Sequence, residues 1–186
     1  TWTLDAAGFT IRSTVKNTGK GTMPLGFGLH PYLKVPVGGQ GEAGQTTLAV
    51  DISRQWDLGA ILKAGPGKPA LADGFLKEPT FVPDNRPIAG VAFNHVFEAK
   101  HDGEGRTYAR ITNPVTGLRV SVSGDKSIST WVIFNPSDRA VISLEPWTHT
   151  PNAINLEEVG VMDSGLINLE AGSTWSSDVR IALDKG

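Results

Sequence analysis

The sequence contains no cysteine, which excludes a disulfide-stabilised scaffold, a cysteine-ligated zinc site and a thiol nucleophile. It also lacks any run of about 18 apolar residues, so no segment is suited to form a membrane-spanning helix. Seventeen basic residues against nineteen acidic residues give a net charge of −2, and no lysine- or arginine-rich cluster is present. Nucleic acid is therefore not expected as the main partner.

The composition that remains, 39% hydrophobic and 19% charged over 186 residues, is that of a folded domain with a sizeable core. Apolar and polar residues alternate with a period of two in segments 9–16, 47–52, 118–123 and 179–183, which predicts strands with one wet face. Two continuous apolar segments, 131–134 and 140–144, predict strands buried on both faces. The 22 glycines and 12 prolines supply turns between them.

These patterns predict an all-β protein, an antiparallel β-sandwich formed as one domain over residues 1–186. The longest irregular stretch, 59–87, is interpreted as a loop excursion within that domain. A Gly-x-Ser-x-Gly nucleophile elbow and a phosphate-binding glycine loop are both missing from the sequence.

Histidines are the first candidates for chemistry. His30 lies in Gly28-Leu29-His30-Pro31-Tyr32, where it is either a hydrogen-bonded core histidine or a functional one. His95 lies in an alternating segment that places Asn94 and Val96 on one face and His95 and Phe97 on the other. The spacing of His95 and His101 matches no metal-ligand pattern, so no metal is expected.

Glu145 is the strongest candidate from the residues alone. It follows the apolar segment 140–144, and a glutamate at the end of a buried strand is costly unless it is paired or used. Pro146 and Pro151 forbid a helix, so Glu145 and His149 do not form a zinc-binding helix. Glu145 is either a base with a raised pKa or one half of an ion pair that closes the strand end.

Taken together, segments 17–19, 24–32, 93–97, 144–148 and 151–153 resemble the aldose 1-epimerase (galactose mutarotase) family, and its aldose 1-epimerase-related branch in particular. The resemblance covers residues 9–183 and implies the galactose mutarotase-like supersandwich. It also implies that His30 is the catalytic acid and Glu145 the catalytic base. The residues expected to bind the sugar are Asn94, which stands where the family has aspartate, and His95, Tyr32 and Trp147.

The same resemblance implies that the site is incomplete. The family carries a further arginine and histidine on an N-terminal portion, and nothing in this sequence matches that portion. The pattern of residues 9–17 also predicts a strand that is already under way close to the start of the sequence. We therefore expect the chain to be the C-terminal part of a larger sandwich, completed by a preceding segment or a partner chain. Uncovered apolar strand edges are a further expectation.

The implied activity is interconversion of the α and β anomers of a free hexose such as glucose or galactose, without metal or cofactor, in the cytoplasm. His30 and Glu145 should then converge on one cleft, with a gap that admits the C1–O5 unit of a pyranose. Two alternatives remain open. One is a non-catalytic carbohydrate-binding sandwich, and the other is a hexose-6-phosphate 1-epimerase, although no paired arginines lie near the motifs.

Overall fold

The computed structural model describes residues 1–68 and 74–185. In chain order, the strands are β1 (Trp2–Asp5), β2 (Gly8–Lys16), β3 (Met23–Leu25), β4 (Tyr32–Lys34), β5 (Thr47–Val50), β6 (Ile52–Trp56), β7 (Leu76–Lys77), β8 (Arg86–Pro87), β9 (Asn94–Ala99), β10 (Thr107–Thr112), β11 (Leu118–Gly124), β12 (Thr130–Phe134), β13 (Val141–Trp147), β14 (Ile167–Leu169) and β15 (Thr174–Lys185). The helices are α1 (Leu58–Ile61) and α2 (Ala153–Glu158), with 3-10 turns at Val37–Gly39, Ala43–Gln45 and Met162–Ser164. These two helices of the described residues run only four and six residues, and neither could span a bilayer.

Two antiparallel sheets form the body of the protein, as the alternating pattern predicts. The larger has the order β1-β2-β15-β11-β10-β5-β8, and the smaller has the order β4-β13-β12-β9-β6-β7. A short ribbon of β14 and β3 stands beside them. The prediction of an all-β antiparallel sandwich is confirmed.

The segment 47–52, predicted as one strand, is divided between the two sheets. β5 pairs with β10 in the larger sheet, whereas β6 pairs with β9 in the smaller. Asp51 lies at the crossing, where its N–H donates to Tyr108 and its carbonyl accepts from Lys100. Of the excursion predicted over 59–87, residues 69–73 lie outside the described residues, and the remainder includes most of α1, β7 and β8.

The main core lies between the two sheets. It is built from the inward residues of each alternating strand, with Phe97, Trp131, Ile133 and Leu144 from the smaller sheet all fully buried. The Trp131 indole N–H donates to Thr107 Oγ1 of the facing sheet at 2.8 Å, so its polar atom is satisfied inside the core.

A second apolar cluster covers part of the opposite, outer face of the smaller sheet. Its buried members are Trp56, Ile61, Phe75, Val96, Val132 and Leu156. Asn152 fixes this layer, because its side-chain amide donates to the carbonyls of Ile61 and Ala64 at 2.7 and 3.0 Å. The outer face is thus covered by apolar side chains beside β12, and the neighbouring part at β13 and β4 carries the polar residues described next.

Candidate active site

The position of His30 is set by the chain that runs antiparallel to β13. β4 pairs with β13 in the register Ser143↔Tyr32, and further along Gly28 forms a bridge with Trp147. A Cβ on Gly28 would lie 2.7 Å from the Trp147 ring, so this approach requires glycine. The result places His30 over the outer face of β13, beside Glu145.

Glu145 lies within β13 and not at its end, because the strand continues through Pro146 to Trp147. Proline has no N–H to donate, and it is tolerated at position 146 because the neighbouring chain on that side is irregular and needs no further donor. The Pro146 carbonyl still accepts a hydrogen bond from Leu29 N–H. Glu145 is paired across the sheet with Val132, and Val132 with Val96, which places its side chain on the outer face. Apolar neighbours on that face leave it only 1% exposed.

The imidazole and the carboxylate meet directly. His30 Nε2 lies 3.0 Å from Glu145 Oε1, and the His30 side chain is 48% exposed. The distance is that of an ion pair, but the contact does not meet hydrogen-bond geometry, and among the described residues this buried oxygen has no hydrogen-bond partner. Burial raises the pKa of Glu145 above its ordinary value, while the charge of His30 and the side chains of Ser143 and Trp147 pull that pKa back down.

The direct contact between His30 and Glu145 differs from the expected arrangement, in which a gap for a sugar separates them. The two side chains converge on one face, but no space for a sugar separates them in this structure. His30 is half-exposed and Glu145 is buried, so His30 is the more accessible of the two side chains. A raised carboxyl pKa next to a half-exposed imidazole is an electrostatic arrangement suited to general acid–base catalysis near neutral pH.

Two aromatic side chains flank the pair. The Tyr32 ring lies 4.9 Å from the His30 ring at an angle of 39° and is half-exposed. Trp147 follows Glu145 on the same face, packs against the second apolar cluster and donates from its indole N–H to Leu29 O at 3.3 Å. One side of Trp147 is therefore structural, and its remaining exposed edge borders the pair.

Asn94 and His95 point to opposite faces of β9, as their adjacent positions in a strand require. Asn94 is exposed on the outer face, which it shares with Val96 and hence with Glu145. His95 lies on the core face, between the rings of Phe93 and Phe97 at 5.6 and 5.7 Å. Burial lowers the pKa of His95, and the charge of Lys77 adds to that shift.

The structure therefore brings together five of the six residues that the sequence predicts for the site, on one face of the smaller sheet: His30, Glu145, Tyr32, Trp147 and Asn94. It does not bring His95 to that face. It adds Ser143, which the sequence analysis missed, with its hydroxyl oxygen 3.0 Å from His30 Nδ1. The pattern that could have revealed Ser143 is its place two residues before Glu145 on a strand, which puts both side chains on one face.

The chain is similar to known proteins in both sequence and structure. A sequence family described as aldose 1-epimerase matches residues 1–182. Among solved structures, the chain resembles a galactose mutarotase-like protein from Clostridium acetobutylicum, with a TM-score of 0.79 at 21% identity, covering 100% of this chain and 55% of that one. It also resembles a galactose mutarotase related enzyme from Lactobacillus acidophilus, with a TM-score of 0.68 at 15% identity over 98% of this chain and 59% of that one. A galactose mutarotase-like protein from Lactobacillus casei gives a TM-score of 0.63 at 19% identity, again over 98% of this chain and 61% of that one. The chain thus spans a little over half the length of these proteins.

Proposed function

The chain belongs to the aldose 1-epimerase family, and we propose that it carries the acid–base pair of a mutarotase acting on a free hexose of the glucose or galactose type. The observation that supports this most strongly is the contact of 3.0 Å between His30 Nε2 and the buried Glu145 Oε1. A structural ion pair would account for the contact, but a half-exposed histidine over a buried carboxylate also leaves one side of the pair open to a ligand.

Ring opening needs one proton removed and one proton added. Glu145 takes the proton of the anomeric O1–H, and the released electron pair forms the C1=O bond. The C1–O5 bond breaks, its electrons pass to O5, and O5 takes the proton from His30 Nε2. After rotation about C1–C2, O5 returns its proton to His30 and attacks C1, while Glu145 returns its proton to O1. The atoms and charges balance over the cycle.

The sugar has to enter between the two side chains, and the exposed face of the pair gives it a route. Tyr32 and Trp147 lie on either side with aromatic surface, which suits the apolar face of a pyranose. Asn94 offers an amide for a sugar hydroxyl. This residue set is neutral apart from the catalytic pair, which favours a free sugar over a phosphorylated one.

One arginine, Arg139, bears on whether the substrate is phosphorylated. Arg139 lies two residues before β13, and its guanidinium is 3.0 Å from the carboxylate of Asp138, which competes with any phosphate. Arginine recognises phosphate best when both of its outer N–H groups are available. We therefore propose free hexose as the substrate and keep hexose 6-phosphate as an outcome of the assay.

Polarimetry on the full-length protein tests the proposal. Freshly dissolved α-glucose, α-galactose and α-glucose 6-phosphate are followed with and without protein, and sugar binding is measured by calorimetry on the same preparation. We expect faster mutarotation of a free sugar. Binding without any rate increase would instead favour a non-catalytic carbohydrate-binding module, and acceleration confined to the phosphorylated sugar would favour the 6-phosphate epimerase.

We also propose that further strands, from the same polypeptide or from a partner chain, cover the apolar edge of the larger sheet. Trp2 and Leu4 lie on the edge strand β1 and are 77% and 79% exposed, and Leu183, near the end of the inner strand β15, is 64% exposed. Exposed apolar side chains on open strands promote association. Sedimentation of residues 1–186 alone should show self-association, and a stable monomer at micromolar concentration would contradict this proposal.

A further inference from the structure

The second nitrogen of the His30 ring has a defined partner. Nδ1 lies 3.0 Å from the Oγ of Ser143, and that hydroxyl lies 3.1 Å from the carbonyl oxygen of Pro31. Ser143 is fully buried, and the register Ser143↔Tyr32 between β13 and β4 fixes its position. The hydroxyl is thus held between one group that can only accept and one whose role depends on its proton.

The proton count along this chain of groups is restrictive. A carbonyl oxygen and an ionised carboxylate only accept, so the single proton of Ser143 goes to Pro31, toward which the hydroxyl meets hydrogen-bond geometry, or to Glu145, and in neither case to Nδ1. The lone pairs of Ser143 Oγ then face Nδ1, which is satisfied only if Nδ1 carries a proton. On the other side of the ring, Nε2 lies 3.0 Å from Glu145 Oε1, and an ionised carboxylate at that distance favours a positively charged ring, which carries a proton on Nε2 as well. The arrangement is complete for a doubly protonated ring beside an ionised carboxylate.

The state after proton transfer also fits. When His30 has given its Nε2 proton to a sugar oxygen and Glu145 has taken one, Nδ1–H still donates to Ser143. Without Ser143, none of these contacts would hold the remaining proton on Nδ1, and a proton on Nε2 is in the wrong place for a group that must accept a proton back from O5. The tautomer therefore decides whether the ring can complete the cycle.

We propose that Ser143 is a positioning residue for the reaction proposed above: it holds one proton on Nδ1 of His30, so that Nε2 alone exchanges a proton with the sugar. The inference rests on the proposed function for its catalytic meaning. The assignment of the tautomer itself rests only on the contacts among Ser143, Pro31 and His30.

The test combines a spectroscopic measurement with kinetics on the full-length protein. Long-range ¹H–¹⁵N spectra distinguish a protonated ring nitrogen from an unprotonated one, and a His30→Gln variant assigns the His30 signals. In the wild type, neutral His30 should carry its proton on Nδ1. In Ser143→Ala the proton should move to Nε2. A hydrogen bond to a charged group supports a loss of about 10- to 100-fold in kcat with little change in KM.

The pH profile separates positioning from packing. Loss of the Ser143 acceptor removes a partner of the doubly protonated ring, so the alkaline limb of the rate profile should move to lower pH. Ser143→Cys keeps the side-chain shape but only a weak acceptor, and should behave like Ser143→Ala. Ser143→Thr keeps the hydroxyl and should restore the wild-type tautomer and profile.

Ser177→Ala is the matched control. Ser177 is also a buried serine on a strand, with its hydroxyl donating to Asp125 at 3.1 Å on the other sheet. This variant should change neither the His30 tautomer nor the pH profile. A Ser143→Ala protein with an unchanged tautomer and profile, whatever its rate, would overturn the proposal. If the wild type does not catalyse mutarotation, the proposed function fails, and the spectra still decide the role of Ser143.

Discussion

Replacement of Glu145 by glutamine separates the catalytic role of this carboxylate from a structural one. The amide has nearly the same shape, so β13 keeps its packing, and its N–H can donate to His30 Nε2. Loss of a general base lowers the rate about 10²–10⁴-fold, which corresponds to about 3–5 kcal/mol of transition-state stabilisation. Sugar affinity, measured by calorimetry, should change much less.

Stability should change in the opposite direction. Because burial raises the pKa of Glu145 in the folded protein, the ionised form costs folding free energy that the unfolded chain does not pay. The protonated Glu145 carboxyl contributes favourably to the free energy of unfolding at pH below the ordinary carboxyl pKa, and this contribution is lost as pH rises through the raised pKa. Glu145→Gln should thus match the wild type in urea unfolding near pH 4 and exceed it in stability at pH 7.5.

A second glutamate, Glu98, provides a control whose contribution to stability depends on pH in the opposite direction. Hydrogen bonds from the Arg54 guanidinium lower the pKa of Glu98, so its contribution to stability is present at neutral pH and is lost on acidification. Glu98→Gln should therefore be less stable than the wild type at pH 7.5 and equal to it at low pH, with no loss of mutarotase rate. A Glu145→Gln protein with a near-normal rate, or one less stable than the wild type at pH 7.5, would refute the reasoning.

Three further results are expected. The rate should follow a bell-shaped dependence on pH whose acid limb lies above the ordinary carboxyl range, because burial raises the pKa of Glu145; a limb near pH 4 would contradict this. Asn94→Ala should raise KM up to about tenfold, whereas His95→Gln, on the core face, should leave KM unchanged in the same assay. Gly165→Ala should lower the free energy of unfolding, measured by heat or urea, by about 3 kcal/mol or more, because φ is +77° and the new Cβ would lie 2.2 Å from a backbone carbonyl oxygen. Gly160→Ala has φ +86° but open space around it, and should lower the free energy of unfolding by about 1–2 kcal/mol.

The period-two pattern was enough to predict the fold class, because one-sided burial of a strand leaves a direct mark on its sequence. It could not predict that segment 47–52 is divided between two sheets, since both halves keep the same alternation. That division depends on the hydrogen bonds that Asp51 makes with Tyr108 and Lys100. These partners are about 50 residues away and leave no mark in the local pattern.

The sequence could predict those residues of the candidate site whose burial is energetically unfavourable. A glutamate in a buried strand, such as Glu145, stands out from the sequence because an unpaired buried carboxylate is unfavourable. Ser143 carries no such mark, since a serine is tolerated at many positions in a strand. His95 was selected with its neighbour by resemblance, although its alternation with Asn94 already placed the two on opposite faces of β9.

The location of Glu145 links the fold to the chemistry. On the core face of β13, between the sheets, a carboxylate would be buried among apolar side chains beyond the reach of a ligand. On the outer face, the cluster around Val132 and Trp147 removes water from one side of Glu145, while the half-exposed His30, on the irregular chain that follows Gly28, lies against the carboxylate from the other side. Burial on this face raises the pKa of the carboxyl, and in the proposed reaction the sugar would displace the half-exposed imidazole. In the proposed reaction, the second apolar cluster would act without touching the sugar, because its packing contributes to the burial that raises the pKa of Glu145.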